Sequence, residues 1–179
     1  MDAELRLPEH VWRNLLAHLL PPASLFEEAA FVFASTRTEE GATIFDFLDC
    51  LRVPAEGFLE RSPYFLELRD ETRAAVIKQA HDLRASVVEF HSHPTQRHAQ
   101  FSFSDLTGLH DFVPHVWWRL KGRPYAAIVV SPTGIDALTW LTDPKTCRGL
   151  QGIRTESQLI EPTGLSMTEW SVNDERGSV

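Results

Sequence analysis

Two histidines and an aspartate stand close together in the middle of the chain. His91 and His93 end an apolar run, and Ser102 and Asp105 follow after a short polar loop. Side chains at positions i and i+2 of a β-strand share one face, so both imidazoles can reach a single ion. Ser102 is placed to cap a helix with Asp105 at its third position, which fixes a carboxylate at a helix start. Two imidazoles and one carboxylate suit zinc with the fourth position open to water, so the pattern predicts one catalytic Zn²⁺ ion.

Each half of this pattern also has an ordinary structural explanation. Two histidines can simply lie at a sheet edge, and a serine followed three residues later by an aspartate is common as a plain helix cap. The combination of HSHP at 91–94 with SFSD at 102–105 is much rarer than either half. Taken together, the two halves favour the metal site.

A hydrolytic zinc site also needs a general base that does not itself bind the metal. Glu89 shares strand parity with both histidines but lies farther from the loop. Glu27 and Glu28 begin an earlier strand, next to small residues. Strand parity does not separate these three glutamates.

Helices and strands must position these groups. Apolar spacing and turn residues predict, in chain order, a helix over 8–20, strands over 27–37 and 42–53, a helix over 71–84, a strand over 85–91, a helix from 102, and strands over 125–130 and 135–141. The first two strands are expected to form a hairpin. Asp70 is expected to cap the second helix, and Pro114 to kink the third or to start another. The segment 54–66 is punctuated by Pro and Gly and predicts an irregular connection, which is either a substrate-facing insertion or only a loop. The element order predicts an α/β sheet flanked by helices.

The composition fits an ordinary globular chain. Its 179 residues are 43% hydrophobic and 23% charged, which is enough for one domain with a sizeable core. The apolar pattern weakens after Asp143, so we expect a domain over 1–145 and a partly flexible C-terminal extension over 146–179 that ends in a solvated tail. Two cysteines, Cys50 and Cys147, do not make a disulfide framework. Neither has a CxxC neighbour, which argues against a cysteine-based zinc site.

The net charge limits the partners. A formal charge of −8 argues against nucleic acid, because phosphate binding needs a basic surface. No apolar run approaches the roughly 20 residues of a membrane span, and acidic residues stand where a signal peptide has a basic region. We therefore expect a cytoplasmic protein with no membrane partner.

A glutamate upstream of the HSHP segment, the HSHP segment itself and the SFSD segment together resemble the JAMM motif of the MPN+ (JAB) zinc metalloproteases. The resemblance extends from about Glu27 to Leu141 and is greatest to the prokaryotic JAB branch associated with ubiquitin-like conjugation systems. It implies a single MPN (JAB) domain over 1–145, with a cytidine-deaminase-like mixed sheet flanked by helices.

The resemblance also implies roles for individual residues. Ser102 would stabilise the oxyanion of the tetrahedral intermediate. The family's glutamate has small residues three and seven positions further on, which Glu27 meets and Glu28 meets less well. This favours Glu27 as the general base. The implied zinc ligands are His91, His93 and Asp105.

The implied activity is zinc-dependent hydrolysis of the isopeptide or peptide bond after the C-terminus of a ubiquitin-like protein, in maturation or deconjugation. The implied partners are that ubiquitin-like protein and the activating and conjugating enzymes of the same system. Two alternatives are a JAB hydrolase acting on a sulfur-carrier protein adduct and a catalytically silent MPN scaffold. The complete His-His-Asp set argues against the scaffold. A zinc deaminase would need HxE and PCxxC motifs, which this sequence lacks.

Overall fold

A mixed β-sheet forms the centre of the protein. The structure is a computed structural model that describes residues 2–168 and 170, and within these residues the sheet has nine strands. The elements in chain order are β1 (Ala3–Arg6), α1 (Glu9–Leu19), β2 (Ala29–Glu39), β3 (Ala42–Arg52), β4 (Phe58–Arg61), β5 (Leu66–Leu68), α2 (Asp70–Leu83), β6 (Ser86–Ser92), α3 (Phe103–Arg119), β7 (Tyr125–Ser131), β8 (Gly134–Trp140), β9 (Cys147–Gly149), β10 (Gly152–Arg154) and β11 (Leu159–Ile160).

The strand that carries the histidines lies in the middle of this sheet. The spatial order is β11-β10-β1-β3-β2-β6-β7-β8-β9, with β4 and β5 forming a separate small hairpin. Strand β6 pairs antiparallel with β2 and parallel with β7. The predicted hairpin of β2 and β3 is present, and its turn residues Glu40 and Gly41 have φ values of 50° and 85°. Positive φ at both central residues is the requirement of a type I′ turn, whose twist matches that of the flanking strands.

Helices cover both faces of the sheet. Alternate residues of β2 point to opposite sides, so Phe31 and Phe33 join one core while Val32 and Ala34 join the other. The first core contains the apolar faces of α2 and α3, and the second contains that of α1. The prediction of an α/β sheet flanked by helices is therefore confirmed.

Three local predictions differ from the structure. Helix α2 has Arg69 at its N-cap with no side-chain cap hydrogen bond, and Asp70 lies instead in the first turn, where its charge complements the helix dipole. Pro114 lies inside the continuous helix α3, on its exposed side, so no second helix starts there. The segment 54–66, predicted as irregular, contains β4 and the start of β5.

The terminal segments add strands that the sequence patterns do not predict. Strand β1 lies between β3 and β10 and is parallel to both. Strands β9, β10 and β11 fall within the predicted extension 146–179 and join the same sheet as the rest of the chain. The predicted solvated tail, residues 171–179, lies outside the described residues. In the part of the chain that is described, none of the helices has the length and apolar character needed to cross a membrane.

Candidate metal centre

The two histidines lie at the end of β6, held by a strand on each side. His91 lies opposite Ala29 of β2 and Val129 of β7. The backbone N–H of His93 donates to the carbonyl of Val130 at 2.8 Å, which continues the pairing beyond the last residue of β6. Both side chains are buried, and their Nε2 atoms are 3.2 Å apart. The strand geometry therefore directs both imidazoles to one point, as their spacing predicts.

Asp105 reaches the same point from the start of α3. Ser102 is the N-cap of the helix, and its hydroxyl accepts the backbone N–H of Asp105 at 3.2 Å. The Oδ2 atom of Asp105 accepts the backbone N–H of Ser102 at 2.7 Å, so the two residues form a capping box. The same Oδ2 lies 3.2 Å from Nε2 of His93 and 3.5 Å from Nε2 of His91. The capping pair and the histidines thus form a single cluster.

The distances among these three donor atoms fit a metal centre. Zinc–ligand bonds of 2.0–2.1 Å in a tetrahedron place neighbouring ligand atoms about 3.3 Å apart. The separations of 3.2, 3.2 and 3.5 Å in the cluster are close to this spacing. The Nδ1 atom of His93 is buried with no hydrogen-bond partner in the described residues, so its ring is oriented by packing and by the cluster. His91, His93 and Asp105 can therefore hold a metal ion.

The charges in the cluster are strongly coupled. Burial opposes ionisation of Asp105, but the two imidazoles outweigh it and hold the pKa of this carboxyl well below its ordinary value. Burial likewise opposes protonation of His91, and the neighbouring Asp105 carboxylate outweighs it and raises the imidazole pKa. His91 therefore holds a proton more tightly than a free imidazole, and a metal ion that binds here competes with that proton.

Strand register brings Glu27 to the cluster. Ala29, the first residue of β2, lies opposite His91 near the end of β6. The same antiparallel register, continued two residues beyond this pair, places Glu27 opposite His93. Its Oε1 atom is 3.6 Å from Nε2 of His93, and its side chain is 5% exposed. Its backbone N–H donates to the carbonyl of Ser62 at 2.9 Å. Burial raises the pKa of Glu27 despite the nearby imidazoles, which favours a group that can take up and hold a proton.

The other two glutamates have different partners. Glu28 lies opposite Ser92, exchanges hydrogen bonds with it, and turns its carboxylate to an ion pair with Arg61. Glu89 accepts a hydrogen bond from the hydroxyl of Tyr125, and burial raises the pKa of Glu89. Of the three candidates, Glu27 is the one with a carboxylate oxygen within 4 Å of a histidine of the cluster, whereas the carboxylate of Glu89 is hydrogen-bonded by Tyr125. The signal that separates them is the pairing of β2 with β6, which joins residues far apart in sequence.

A cleft opens beside the cluster. Its volume is about 350 Å³, and its walls include Glu89, His91, Ser102 and Asp105. The consecutive residues Tyr64–Leu68 form another wall, and α3 contributes Gly108, Leu109 and Phe112. This wall overlaps the connection 54–66, for which the sequence leaves open a substrate-facing insertion or a plain loop, and the sequence patterns do not predict strand β5 within it. Tyr64 is 80% exposed, and Phe103 at the start of α3 is 75% exposed, so aromatic side chains lie open to solvent near the cleft.

The fold and the cluster together define an α/β protein with a buried His-His-Asp site that can hold a metal ion. The chain matches no protein-family model and has no significant match among curated proteins. The chemistry of the site is therefore inferred from its residues and their geometry.

Proposed function

We propose that the protein is a zinc-dependent isopeptidase of the JAMM type, with the cytidine-deaminase-like fold of MPN (JAB) domains. Its substrate is the amide bond that follows the C-terminus of a ubiquitin-like protein. One observation carries the proposal: the His91, His93 and Asp105 cluster lies beside an open cleft, with the Glu27 carboxylate 3.6 Å from His93. A catalytic metal site keeps one position free and has an acid–base group that does not bind the metal.

Each residue near the cluster has a role in this hydrolysis. His91, His93 and Asp105 would hold a zinc ion, which would supply a water molecule of lowered pKa and polarise the scissile carbonyl. Glu27 accepts the proton of the attacking water and delivers it to the leaving amine, and its burial allows it to hold that proton between the two steps. The Ser102 hydroxyl uses a lone pair to accept the Asp105 N–H, so its own proton can be donated to the developing oxyanion.

The cleft wall supports an extended peptide as the substrate. Strand β5 pairs with β4 on one side, and in the described residues its other edge has no strand partner. Residues Tyr64–Leu68, which include β5, line the cleft beside Ser102 and Asp105. An extended C-terminal tail can add to such an edge through main-chain hydrogen bonds. This arrangement favours the tail of a ubiquitin-like protein, and the enzymes that activate and conjugate that protein would then act on the same substrate.

The test is cleavage of a ubiquitin-like protein fused at its C-terminus, through an amide bond, to a fluorescent reporter. We expect the zinc-loaded protein to cut after the carrier's last residue, chelation to stop the cleavage, and added zinc to restore it. A parallel sample carries a cysteine adduct on a sulfur-carrier protein. If the protein releases the adduct but does not cut the reporter fusion, its function is that of a sulfur-carrier hydrolase and not of an isopeptidase. Failure to cleave any of several carriers while zinc remains bound would favour the silent scaffold.

Replacement of Ser102 tests the oxyanion role. We expect Ser102→Ala to lower kcat by about 10²-fold, because one donor to the oxyanion is lost. The substitution also removes the N-cap of α3, at a cost of about 1 kcal/mol. Ser102→Gly separates the two effects, because glycine keeps most of the capping stability but has no hydroxyl. If the hydroxyl acts on the substrate, both variants lose activity to a similar extent. If Ser102→Gly retains the wild-type kcat, Ser102 serves as a cap alone.

A further inference from the structure

A buried hydrogen-bond network joins the C-terminal part of the chain to the loop before α3. Asp136 in β8 is 0% exposed, and its Oδ1 accepts the N–H of Gly164 at 2.9 Å. Its Oδ2 accepts both the N–H and the hydroxyl of Ser166, at 2.8 and 2.6 Å. Ser166 is also 0% exposed, and its Oγ accepts the backbone N–H of Phe101 at 2.9 Å. We call residues 163–166 the C-terminal clamp.

A second contact of the clamp holds the same loop. The Thr163 hydroxyl donates to the carbonyl of Ala99 at 2.8 Å, and the Thr163 N–H donates to the carbonyl of Ile135 at 2.9 Å. Ala99 and Phe101 are both buried. The clamp therefore connects β8 to the loop at two points, Ala99 and Phe101.

Phe101 contacts the first half of the His-His-Asp cluster and directly precedes the second half in sequence. Its ring is tilted against the imidazole of His91, with the ring centroids 5.4 Å apart. The next residue is Ser102, whose backbone N–H donates to the Asp105 carboxylate at 2.7 Å. A shift of Phe101 would therefore displace one imidazole ligand and also the start of the helix that carries the carboxylate ligand.

The structure assigns Asp136 and Ser166 a positioning role: they hold Phe101 so that His91 and Asp105 reach the same metal ion. Asp136 orients the Ser166 hydroxyl by accepting a hydrogen bond from it, which leaves the hydroxyl oxygen free to accept the N–H of Phe101. Groups that orient metal ligands from outside the coordination shell typically change metal affinity by roughly 10–100-fold when they are removed. This role rests on the proposed zinc centre, whose ligands the C-terminal clamp would keep in position.

The experiment compares Ser166→Ala with a control that loses a buried hydroxyl elsewhere. Thr139 in β8 is 0% exposed, and its hydroxyl donates to the carbonyl of Arg148 at 3.1 Å. Thr139→Val removes that hydrogen bond with little change in side-chain volume. Zinc dissociation constants are measured by competition with a chromophoric chelator. The visible spectrum of the Co²⁺-loaded proteins reports the coordination geometry, and neither measurement requires substrate.

We expect Ser166→Ala to bind zinc roughly 10–100-fold more weakly than wild type and to change the cobalt spectrum. We expect Thr139→Val to match wild type in both measurements. If Ser166→Ala does not fold, Ser166→Cys provides the same comparison, because a thiol is of similar size but forms weaker hydrogen bonds. Wild-type zinc affinity and cobalt spectrum in a folded Ser166 variant would overturn the positioning role, as would equal weakening in Thr139→Val. If the wild-type protein binds neither zinc nor cobalt, the zinc centre itself is overturned. This outcome differs from a failure of the positioning role alone, in which wild type still binds both metals.

Discussion

Replacing Glu27 with glutamine is expected to lower the rate of hydrolysis by roughly 10²–10⁴-fold while zinc remains bound, because a positioned general base contributes about that much to a reaction. Glutamine has nearly the same shape as glutamate but cannot take up the proton of the attacking water. The Glu27 carboxylate lies 3.6 Å from His93 and is 5% exposed, so the substitution changes the chemistry of the site with little change in its packing. The measurements are kcat on the reporter fusion and zinc per chain on the same sample.

Glu28→Gln and Glu89→Gln are the matched controls, since each makes the same chemical change close to the cluster. Glu28 faces Arg61, and Glu89 accepts a hydrogen bond from the hydroxyl of Tyr125. The amide oxygen of glutamine can still accept that hydrogen bond. We expect both controls to keep kcat within a few-fold of wild type. A normal kcat in Glu27→Gln, or a loss of activity in a control with zinc still bound, would assign the base to another residue. Loss of zinc from Glu27→Gln would instead make Glu27 a ligand.

Two local expectations of the sequence are present in the structure: the histidines lie together on one strand face, and Ser102 and Asp105 form a capping box. His91 and His93 share a face because strand side chains alternate, and Ser102 and Asp105 meet because a helix start has a fixed geometry. Both rules act over a few residues. The sequence patterns therefore place both halves of the cluster. They also give the order of the longer helices and strands between 8 and 141, but not the short strands β4 and β5.

The position of Glu27 depends on a pairing that local patterns do not contain. Strand parity puts Glu89 on the same face as the histidines, yet its carboxylate turns to Tyr125. Glu27 reaches His93 because β2 pairs with β6 in the register that sets Ala29 opposite His91. That register joins segments about sixty residues apart, and a shift by one residue would move Glu28 into the place of Glu27.

The short strands are missed for a related reason. Strand β1 has four residues and β5 has three, which is too few for an alternating pattern to stand out. Their strand conformation depends on neighbours: β1 is held between β3 and β10, and β5 by β4. Strand preference is largely a matter of such packing, so a sequence read segment by segment does not reveal it. The C-terminal clamp is missed in the same way, because Ser166 and Phe101 are 65 residues apart.

Removal of one imidazole is expected to abolish zinc binding and hydrolysis together. The proposed centre has three protein ligands, so His91→Ala would leave two and open a second position to water. We expect the zinc content to fall from about one per chain to near zero, and kcat to fall below detection. His98→Ala is the control, because His98 is an exposed histidine in the loop between the two halves of the cluster. It should keep both zinc and activity. One zinc per chain in His91→Ala would remove His91 from the ligand set.

Stability provides a second measure of the same loss. A ligand that binds the folded state alone stabilises it by about 4 kcal/mol when its concentration is 1,000 times the dissociation constant. Added zinc should therefore raise the Tm of wild type and of His98→Ala, and leave the Tm of His91→Ala nearly unchanged.

Replacement of Asp105 with asparagine distinguishes the helix-capping role of this residue from its role as a metal ligand. The asparagine oxygen can still accept the Ser102 N–H, which Asp105 accepts at 2.7 Å, but the amide has no negative charge for the metal. If Asp105 served as a cap alone, Asp105→Asn would bind zinc as wild type does. If Asp105 is a ligand, the Tm shift with zinc is lost although α3 keeps its cap.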